Sequence, residues 1–166
     1  MRVGFIGLGN MARPMSENIL RAGHELVVAG QGRDETEELV LLGAEKAANG
    51  ADAASRADVV ITMLPDFSQV HETCLGEDGI IRTGTENTTV IDMSPIRPSQ
   101  AKKIASALAG KGIEMLSCPV RGGEQGAADG TLSVVCGGKR ETWDKYYDLL
   151  RSVASTVDYG GPIGAA

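Results

Sequence analysis

The sequence predicts an α/β fold in which a mostly parallel sheet lies between two layers of helices, a three-layer αβα arrangement. Short apolar runs alternate with segments of helical periodicity along the whole chain, as a series of βαβ units requires. Residues 58–64 and 88–93 are largely apolar and rich in β-branched side chains, which is typical of parallel strands buried on both faces. The 166 residues are enough for one domain with a substantial core.

The predicted strands and helices follow one another in order, beginning with a strand at residues 3–6. The first helix has Met11, Met15 and Ile19 four residues apart on one face. Pro98 opens a later helix, because proline is tolerated at the first helical position. Further strands are predicted at residues 25–29, 44–47, 58–64, 88–93, 112–117 and 132–136. Further helices are predicted at residues 34–42, 52–56, 68–75, 98–110 and 140–153.

The composition excludes several classes of function. The net charge of −6 argues against nucleic acid as a partner, because binding to nucleic acid depends on clustered Lys and Arg. Cys74, Cys118 and Cys136 are odd in number and lack metal-ligand spacing, which favours free thiols in a reducing cytoplasm over a metal site. No apolar run approaches the ~20 residues that span a membrane, so we expect no membrane partner.

The first strand leads directly into a glycine-rich turn and then into a helix. The turn has the spacing G-x-G-x-x-G/A and consists of Gly7, Leu8, Gly9, Asn10, Met11 and Ala12. The first glycine permits the tight turn, the second lets a pyrophosphate approach the backbone, and the small third residue lets helix and strand pack closely. Free N–H groups at the helix start would bind the phosphates. The pattern predicts a Rossmann-type, doubly wound fold with a dinucleotide site, and an ordinary strand–turn–helix is the alternative.

Two further stretches lie at strand ends that are expected to share one edge of the sheet, where open α/β sheets bind ligands, and a third contains a pair of glycines. Leu64 and Pro65 can line a cofactor, although a proline that merely ends the strand is the alternative. Ser94 ends the next strand, and its hydroxyl either meets the nicotinamide or substrate or caps a helix. Gly122 and Gly123 let backbone N–H groups converge on a carboxylate, unless they only form the turn before a helix.

Four stretches occur in a recognisable order over nearly the whole chain. They are the turn at residues 7–15, Thr62-Met63-Leu64-Pro65-Asp66, Ile91-Asp92-Met93-Ser94, and Pro119-Val120-Arg121-Gly122-Gly123 with Gly126-Ala127 and Gly130-Thr131-Leu132. With these residues the chain resembles the cofactor domain of the β-hydroxyacid dehydrogenases. That group includes 3-hydroxyisobutyrate dehydrogenase and tartronate semialdehyde reductase, with 6-phosphogluconate dehydrogenase as a relative.

This resemblance implies reversible hydride transfer between a nicotinamide cofactor and a small β-hydroxy acid or semialdehyde. In the family, a lysine on the helix after a G-P-x-G segment acts as general acid–base. That segment is Gly161-Pro162-Ile163-Gly164 here, and the lysine would lie beyond Ala166, the last residue of the sequence. We therefore expect an NAD(P)-binding domain at residues 1–159 and the start of an interdomain linker at residues 160–166.

The family's carboxy-terminal helical domain and its catalytic lysine are thus expected to be absent from these 166 residues. The resemblance implies that the full-length form is a homo-oligomer. A stand-alone module that binds or senses NAD(P) without catalysis is the alternative to this enzymatic reading.

Departures from the family pattern bear on the ligands. The second strand does not end in a carboxylate that would bind ribose hydroxyls. Gln31 and Arg33 follow it and can bind a 2′-phosphate, which favours NADP over NAD, unless Arg33 is only an exposed loop residue. Arg121 replaces a serine that contacts substrate in the family. It either grips a carboxylate or phosphate, or points to solvent at a site that has lost its function. Pro95 replaces a threonine that contacts the cofactor there.

The prediction therefore consists of two sets of residues. The predicted cofactor contacts are Gly7, Leu8, Gly9, Asn10, Met11, Gln31, Arg33, Leu64, Pro65 and Ser94. The predicted substrate contacts are Ser94, Arg121, Gly122 and Gly123.

Overall fold

The computed structural model describes residues 1–7, 9–30 and 33–165, without the side chains of residues 33–35. The strands are β1 (Arg2–Ile6), β2 (Glu25–Ala29), β3 (Glu45–Lys46), β4 (Val59–Thr62), β5 (Thr89–Asp92), β6 (Glu114–Ser117), β7 (Val120–Arg121), β8 (Leu132–Gly137) and β9 (Ala154–Gly161). The helices are α1 (Ala12–Arg21), α2 (Arg33–Leu41), α3 (Gly50–Arg56), α4 (Phe67–Leu75), α5 (Pro98–Ala109), α6 (Gly123–Asp129) and α7 (Arg140–Arg151). A short 3₁₀ turn, Ile80–Arg82, lies between α4 and β5.

Six parallel strands form most of the sheet, in the order β3-β2-β1-β4-β5-β6. This is the order of doubly wound dinucleotide-binding folds, and it places a topological switch point between β1 and β4. β8 runs antiparallel to β6 and β7, and β9 runs parallel to β8. The prediction of a mostly parallel α/β sheet is confirmed, and the structure adds an antiparallel end.

Helices cover both faces of the parallel strands and enclose two cores. Successive residues of β4 point to opposite faces, so Val59 and Ile61 pack into one core and Val60 into the other. The first core includes side chains from α1, α2, α6 and α7, and the second includes side chains from α3, α4 and α5. All four residues of β4 are buried, as the unbroken apolar run predicts.

Several helices begin at side chains that satisfy their first N–H groups. Asn49 accepts a hydrogen bond from the N–H of Asp52 at the start of α3, at 2.9 Å. Asp66 accepts one from the N–H of Gln69 at the start of α4, also at 2.9 Å. α1, by contrast, follows Met11, whose side chain makes no capping hydrogen bond. Among the described residues, no helix is both long and apolar enough to cross a membrane.

The antiparallel end differs most from the sequence prediction, because β7, α6 and β9 lie outside the predicted set. The helix predicted over residues 140–153 ends at Arg151, and Ser152 forms its C-cap. Ala154 instead begins β9, a strand of eight residues with four exposed positions and therefore no continuous apolar run. β9 extends to Gly161, so its last two residues fall in the segment that the sequence assigns to a linker.

The rest of that predicted linker forms a turn after β9. The N–H of Ala165 donates to the carbonyl oxygen of Pro162 at 3.0 Å, which closes the turn over the G-P-x-G segment. Ala166 lies outside the described residues. The expectation that the family's lysine would lie beyond Ala166 therefore stays a prediction.

Candidate functional site

A cleft opens at the switch point, where β1 and β4 end side by side. Ile6 pairs with Thr62 at the ends of the two strands. The cleft encloses about 360 Å³, and its lining includes Gly7 and Gly30, which follow β1 and β2, together with Leu64 and Pro65 after β4. The structure thus brings three of the predicted cofactor contacts, Gly7, Leu64 and Pro65, to one edge of the sheet.

Gly7 is required by the packing of the turn itself. Its backbone has φ of +120°, a conformation that L-residues with a side chain rarely adopt. A Cβ at this position would lie 2.1 Å from the carbonyl oxygen of Met63, so no side chain fits between the turn and the end of β4. Its N–H donates to the carbonyl oxygen of Ala29 at 3.0 Å, which fixes the turn to β2 as well.

Gly9 and the start of α1 have open surroundings. A Cβ on Gly9 would meet no described atom within 4 Å. Asn10 is exposed, and Met11 provides no side-chain cap for α1. The guanidinium of Arg13 is engaged by Glu17 at 3.2 Å and by Glu38. Within the first turn, the N–H of Arg13 donates to the carbonyl oxygen of Gly9 at 3.2 Å, and Pro14 has no N–H. The start of α1 therefore offers an anion the N–H groups of Met11 and Ala12 and the positive end of the helix dipole.

Ser94 is almost fully buried, with 1% of its surface exposed. Its hydroxyl accepts a hydrogen bond from the N–H of Leu64 at 2.9 Å, so the side chain joins the ends of β4 and β5. The helix-cap alternative is wrong, because the N-cap of α5 is Arg97. Direct contact between Ser94 and a ligand stays a prediction.

Asp92, the last residue of β5, is a buried carboxyl directly behind this edge. Its Oδ1 accepts hydrogen bonds from the hydroxyl of Thr62 at 2.7 Å and from the N–H of Ser94 at 3.4 Å. Its Oδ2 has no partner among the described residues. Burial raises the pKa of Asp92 from 3.8 to about 6, and the hydrogen bonds from Ser94 and Thr62 oppose that rise.

Two predicted cofactor contacts, Leu8 and Gln31, lie outside the described residues. Arg33 is the first residue of α2, but its side chain is not among those described. The choice between NAD and NADP at the end of β2 therefore stays a prediction.

The predicted substrate contacts near β7 lie outside the lining of the cleft. Arg121 is exposed and forms no ion pair among the described residues, which leaves both alternatives for it open. Gly122 is the N-cap of α6, and Gly122 and Gly123 both have positive φ, +131° and +62°. The prediction that these glycines form the turn before a helix is therefore confirmed, while their binding of a carboxylate stays a prediction. The side-chain amide of Asn18 donates to the carbonyl oxygen of Ala127 at 2.9 Å, which holds α6 against α1.

The sequence prediction missed three residues of α4 that line the cleft: Gln69, Glu72 and Thr73. They are three and four residues apart, so they share one face of the helix. Their contact with the cleft could have been predicted from this spacing, because α4 begins a few residues after the carboxyl end of β4. A second cavity, of about 640 Å³ and thus larger than the cleft, lies between α5 and the end of β9 and shares no lining residue with the cleft.

The strand order, the glycine turn at the switch point and the uncapped start of α1 together define a Rossmann-type dinucleotide-binding domain. The family model for the NAD binding domain of 6-phosphogluconate dehydrogenase matches residues 2–161. The chain belongs to this family, and the predicted resemblance to the β-hydroxyacid dehydrogenases is confirmed.

Named relatives match nearly the whole of this chain. The NAD-dependent L-serine dehydrogenase of Pseudomonas aeruginosa is 39% identical over 164 residues, which cover 99% of this chain and 55% of that protein. The structure of Mycobacterium tuberculosis 3-hydroxyisobutyrate dehydrogenase with L-serine has a TM-score of 0.91 at 30% identity, over 99% of this chain and 55% of that one. Psf3 in complex with NADP+ and 2-OPP has a TM-score of 0.93 at 29% identity, over 99% and 58%. The chain spans about half the length of these relatives.

Proposed function

We propose that this chain is the cofactor-binding part of an NAD(P)-dependent oxidoreductase that transfers hydride between nicotinamide and a small β-hydroxy acid or semialdehyde. The observation that carries the proposal is the open backbone at Gly9 and the start of α1, at the switch point of the sheet. A bound dinucleotide would supply the nicotinamide ring that accepts or donates hydride.

The residues present fit such a cofactor. The N–H groups of Met11 and Ala12, at the start of α1, lack a capping side chain and can hold a pyrophosphate without a basic residue. The adenosine end would occupy the cleft between Gly30 and the α4 face formed by Gln69, Glu72 and Thr73. Leu64 and Pro65 would line the cofactor from the end of β4.

The proposal is tested by titrating the chain with NAD+ and NADP+ in a calorimeter, alongside Gly9→Ala. The added methyl group occupies space that the fold leaves empty, so Gly9→Ala should fold normally and weaken binding at least about tenfold. Gly110→Ala is the matched control. Gly110 has an ordinary helical conformation at the end of α5 and should bind like the unaltered chain. Equal affinity of Gly9→Ala and Gly110→Ala would place the dinucleotide elsewhere and contradict the proposal.

We propose NADP as the preferred cofactor, on the basis of the residues after β2. Gly30 follows this strand and no carboxylate stands at the strand end, while Gln31 and Arg33 can bind a 2′-phosphate. The same titrations decide the preference, since clearly tighter binding of NAD+ would refute it. Binding of both dinucleotides without turnover by any longer form of the protein would instead favour a sensing module.

We propose that the whole protein binds the carboxylate or phosphate of its substrate near Arg121, Gly122 and Gly123, with Ser94 on the same edge. The exposed guanidinium of Arg121, unpaired among the described residues, supports this role. In a full-length protein that carries this chain, Arg121→Ser should change the substrate preference, and an unchanged preference would contradict it.

Residues 1–166 alone should bind cofactor without turnover, because the family's catalytic lysine would lie beyond Ala166.

We also propose, from the family resemblance, that the whole protein acts as a cytoplasmic homo-oligomer. Cys74, Cys118 and Cys136 are free and buried, which supports a reducing compartment. Cell fractionation and sedimentation of the full-length protein test the two parts of this proposal separately.

A further inference from the structure

A hydrogen-bond network joins the ends of β4 and β5 behind the cofactor cleft. It consists of Thr62, Asp92, Ser94 and the backbone N–H of Leu64, and we call it the β4–β5 network. Asp92 Oδ1 accepts from the hydroxyl of Thr62 at 2.7 Å and from the N–H of Ser94 at 3.4 Å. The hydroxyl of Ser94 in turn accepts from the N–H of Leu64 at 2.9 Å. None of the three side chains is more than 1% exposed.

The network determines how one peptide bond is oriented beside the glycine turn. The N–H of Leu64 and the carbonyl of Met63 belong to the same planar peptide unit. A hydrogen bond that fixes the N–H therefore fixes the direction of the carbonyl. That carbonyl oxygen forms the wall against which Gly7 packs, at 2.1 Å from where a Cβ of Gly7 would be.

Burying the carboxyl group of Asp92 at this position costs free energy. Asp92 is fully buried, and its Oδ2 has no partner among the described residues. An apolar side chain would avoid the cost of burying an unsatisfied oxygen, which makes core stability a poor reason for an acid here. What Asp92 adds is the pair of hydrogen bonds accepted by Oδ1, and both lead to the edge of the cleft.

We propose that Asp92 is a positioning residue of the dinucleotide site: through Ser94 it orients the Met63–Leu64 peptide and thereby the turn at Gly7. This inference rests on the proposed cofactor-binding function. Because Asp92 is fully buried, it acts on the dinucleotide through the backbone and does not touch it.

The test compares the affinities of variants for NAD+ and NADP+ with their stabilities in denaturant. Asp92→Leu removes the acceptor and keeps the branched shape, with two methyl groups in place of two oxygens, and Ser94→Ala removes the hydroxyl that holds Leu64. Both should weaken binding of the preferred dinucleotide by about fivefold or more, the scale of one lost hydrogen bond. Asp92→Asn keeps an acceptor oxygen at the Oδ1 position and should restore affinity to within about twofold of the unaltered chain.

Thr88→Val is the matched control, because Thr88 directly precedes β5 at the end of that strand opposite to Asp92. The Thr88 hydroxyl is also buried and accepts a backbone N–H, that of Thr85, at 3.0 Å. Its loss should lower stability about as much as Ser94→Ala does, with no change in affinity. An effect of Thr88→Val on affinity equal to that of Ser94→Ala would reduce the network to a structural role and overturn the proposal.

Other results distinguish a failure of the proposed role of the β4–β5 network from a failure of the proposed cofactor site. Unchanged affinity in folded Ser94→Ala overturns the role of the network while leaving the cofactor site intact. Failure of Asp92→Asn to bind, when it is folded, also overturns the role of the acceptor. If Asp92→Leu does not fold, Ser94→Ala and Asp92→Asn still decide. If the unaltered chain binds neither NAD+ nor NADP+, the proposed function fails first and this inference fails with it.

Discussion

Gly7 and Gly9 are two residues apart in one turn, but their surroundings are opposite. A Cβ on Gly7 would lie 2.1 Å from the carbonyl oxygen of Met63, whereas a Cβ on Gly9 would meet no described atom within 4 Å. Gly7 has φ of +120°, in the left-handed region that favours glycine. The chain itself therefore requires the first glycine, while the second keeps open a space that the fold does not use. One motif thus serves folding at one position and binding at the other.

The largest loss of stability should come from substitution of Gly7, which packs against the carbonyl of Met63. Gly7→Ala combines a disfavoured backbone conformation with a clash against backbone, and it should lower the free energy of unfolding by about 4 kcal/mol. Chemical denaturation followed by the fluorescence of Trp143 measures this change. A stable Gly7→Ala variant would mean that the turn can move away from Met63, and the contrast between the two glycines would be lost.

The next largest change in stability should involve Asp92, which the β4–β5 network links to the Met63–Leu64 peptide beside Gly7. Its pKa of about 6 in the folded state exceeds the ordinary value of 3.8, so between these values the folded chain holds a proton that the unfolded chain has released. The contribution of Asp92 to stability should therefore fall as pH rises from about 4 to 6 and then level off. Asp92→Asn lacks this penalty, and its stability relative to the unaltered chain should increase by on the order of 2–3 kcal/mol across that range.

Asp148→Asn is the control for this pH dependence. Asp148 lies on α7, outside the β4–β5 network, and its side chain is exposed. Parallel denaturation curves at pH 4.5 and 7.5 provide the comparison. A constant difference between Asp92→Asn and the unaltered chain would contradict the buried, poorly compensated carboxyl described here.

The sequence predicted the parallel part of the sheet better than the antiparallel end, for a physical reason. Strands buried on both faces, such as β4, have continuous apolar runs, and the glycine turn has fixed spacing. β9 has four exposed residues, which leaves no comparable signal. At the site, the spacing identified Gly7, Leu64 and Pro65 as cleft residues. It could not show that the hydroxyl of Ser94 is occupied by Leu64, because that contact joins residues 30 positions apart.

A smaller effect, on cofactor affinity, is expected in the cleft that borders the turn. Glu72 is exposed and lines the cleft that would hold the adenosine end of the cofactor. NADP+ carries a 2′-phosphate that NAD+ lacks, so Glu72→Gln should improve the affinity for NADP+ about two- to threefold more than that for NAD+. Glu77→Gln, a change outside the lining of the cleft, should alter both affinities equally. Equal gains in Glu72→Gln would place the 2′-phosphate away from α4.

The smallest effect should be that of Gly9→Ala on stability. The methyl group enters open space, so the free energy of unfolding should change by less than about 0.5 kcal/mol. Denaturation under the conditions used for Gly7→Ala gives the direct comparison. A loss as large as that of Gly7→Ala would show that both glycines serve packing.

The most direct measurement is a backbone amide NMR titration of the chain with NAD+ and NADP+. The amide signals of Gly9, Met11 and Ala12 should shift most, because these groups stand at the uncapped start of α1. Smaller shifts should follow at Leu64 and in α4. Shifts centred instead on Met115 and Ile163, which line the larger cavity, would contradict a dinucleotide site at the glycine turn.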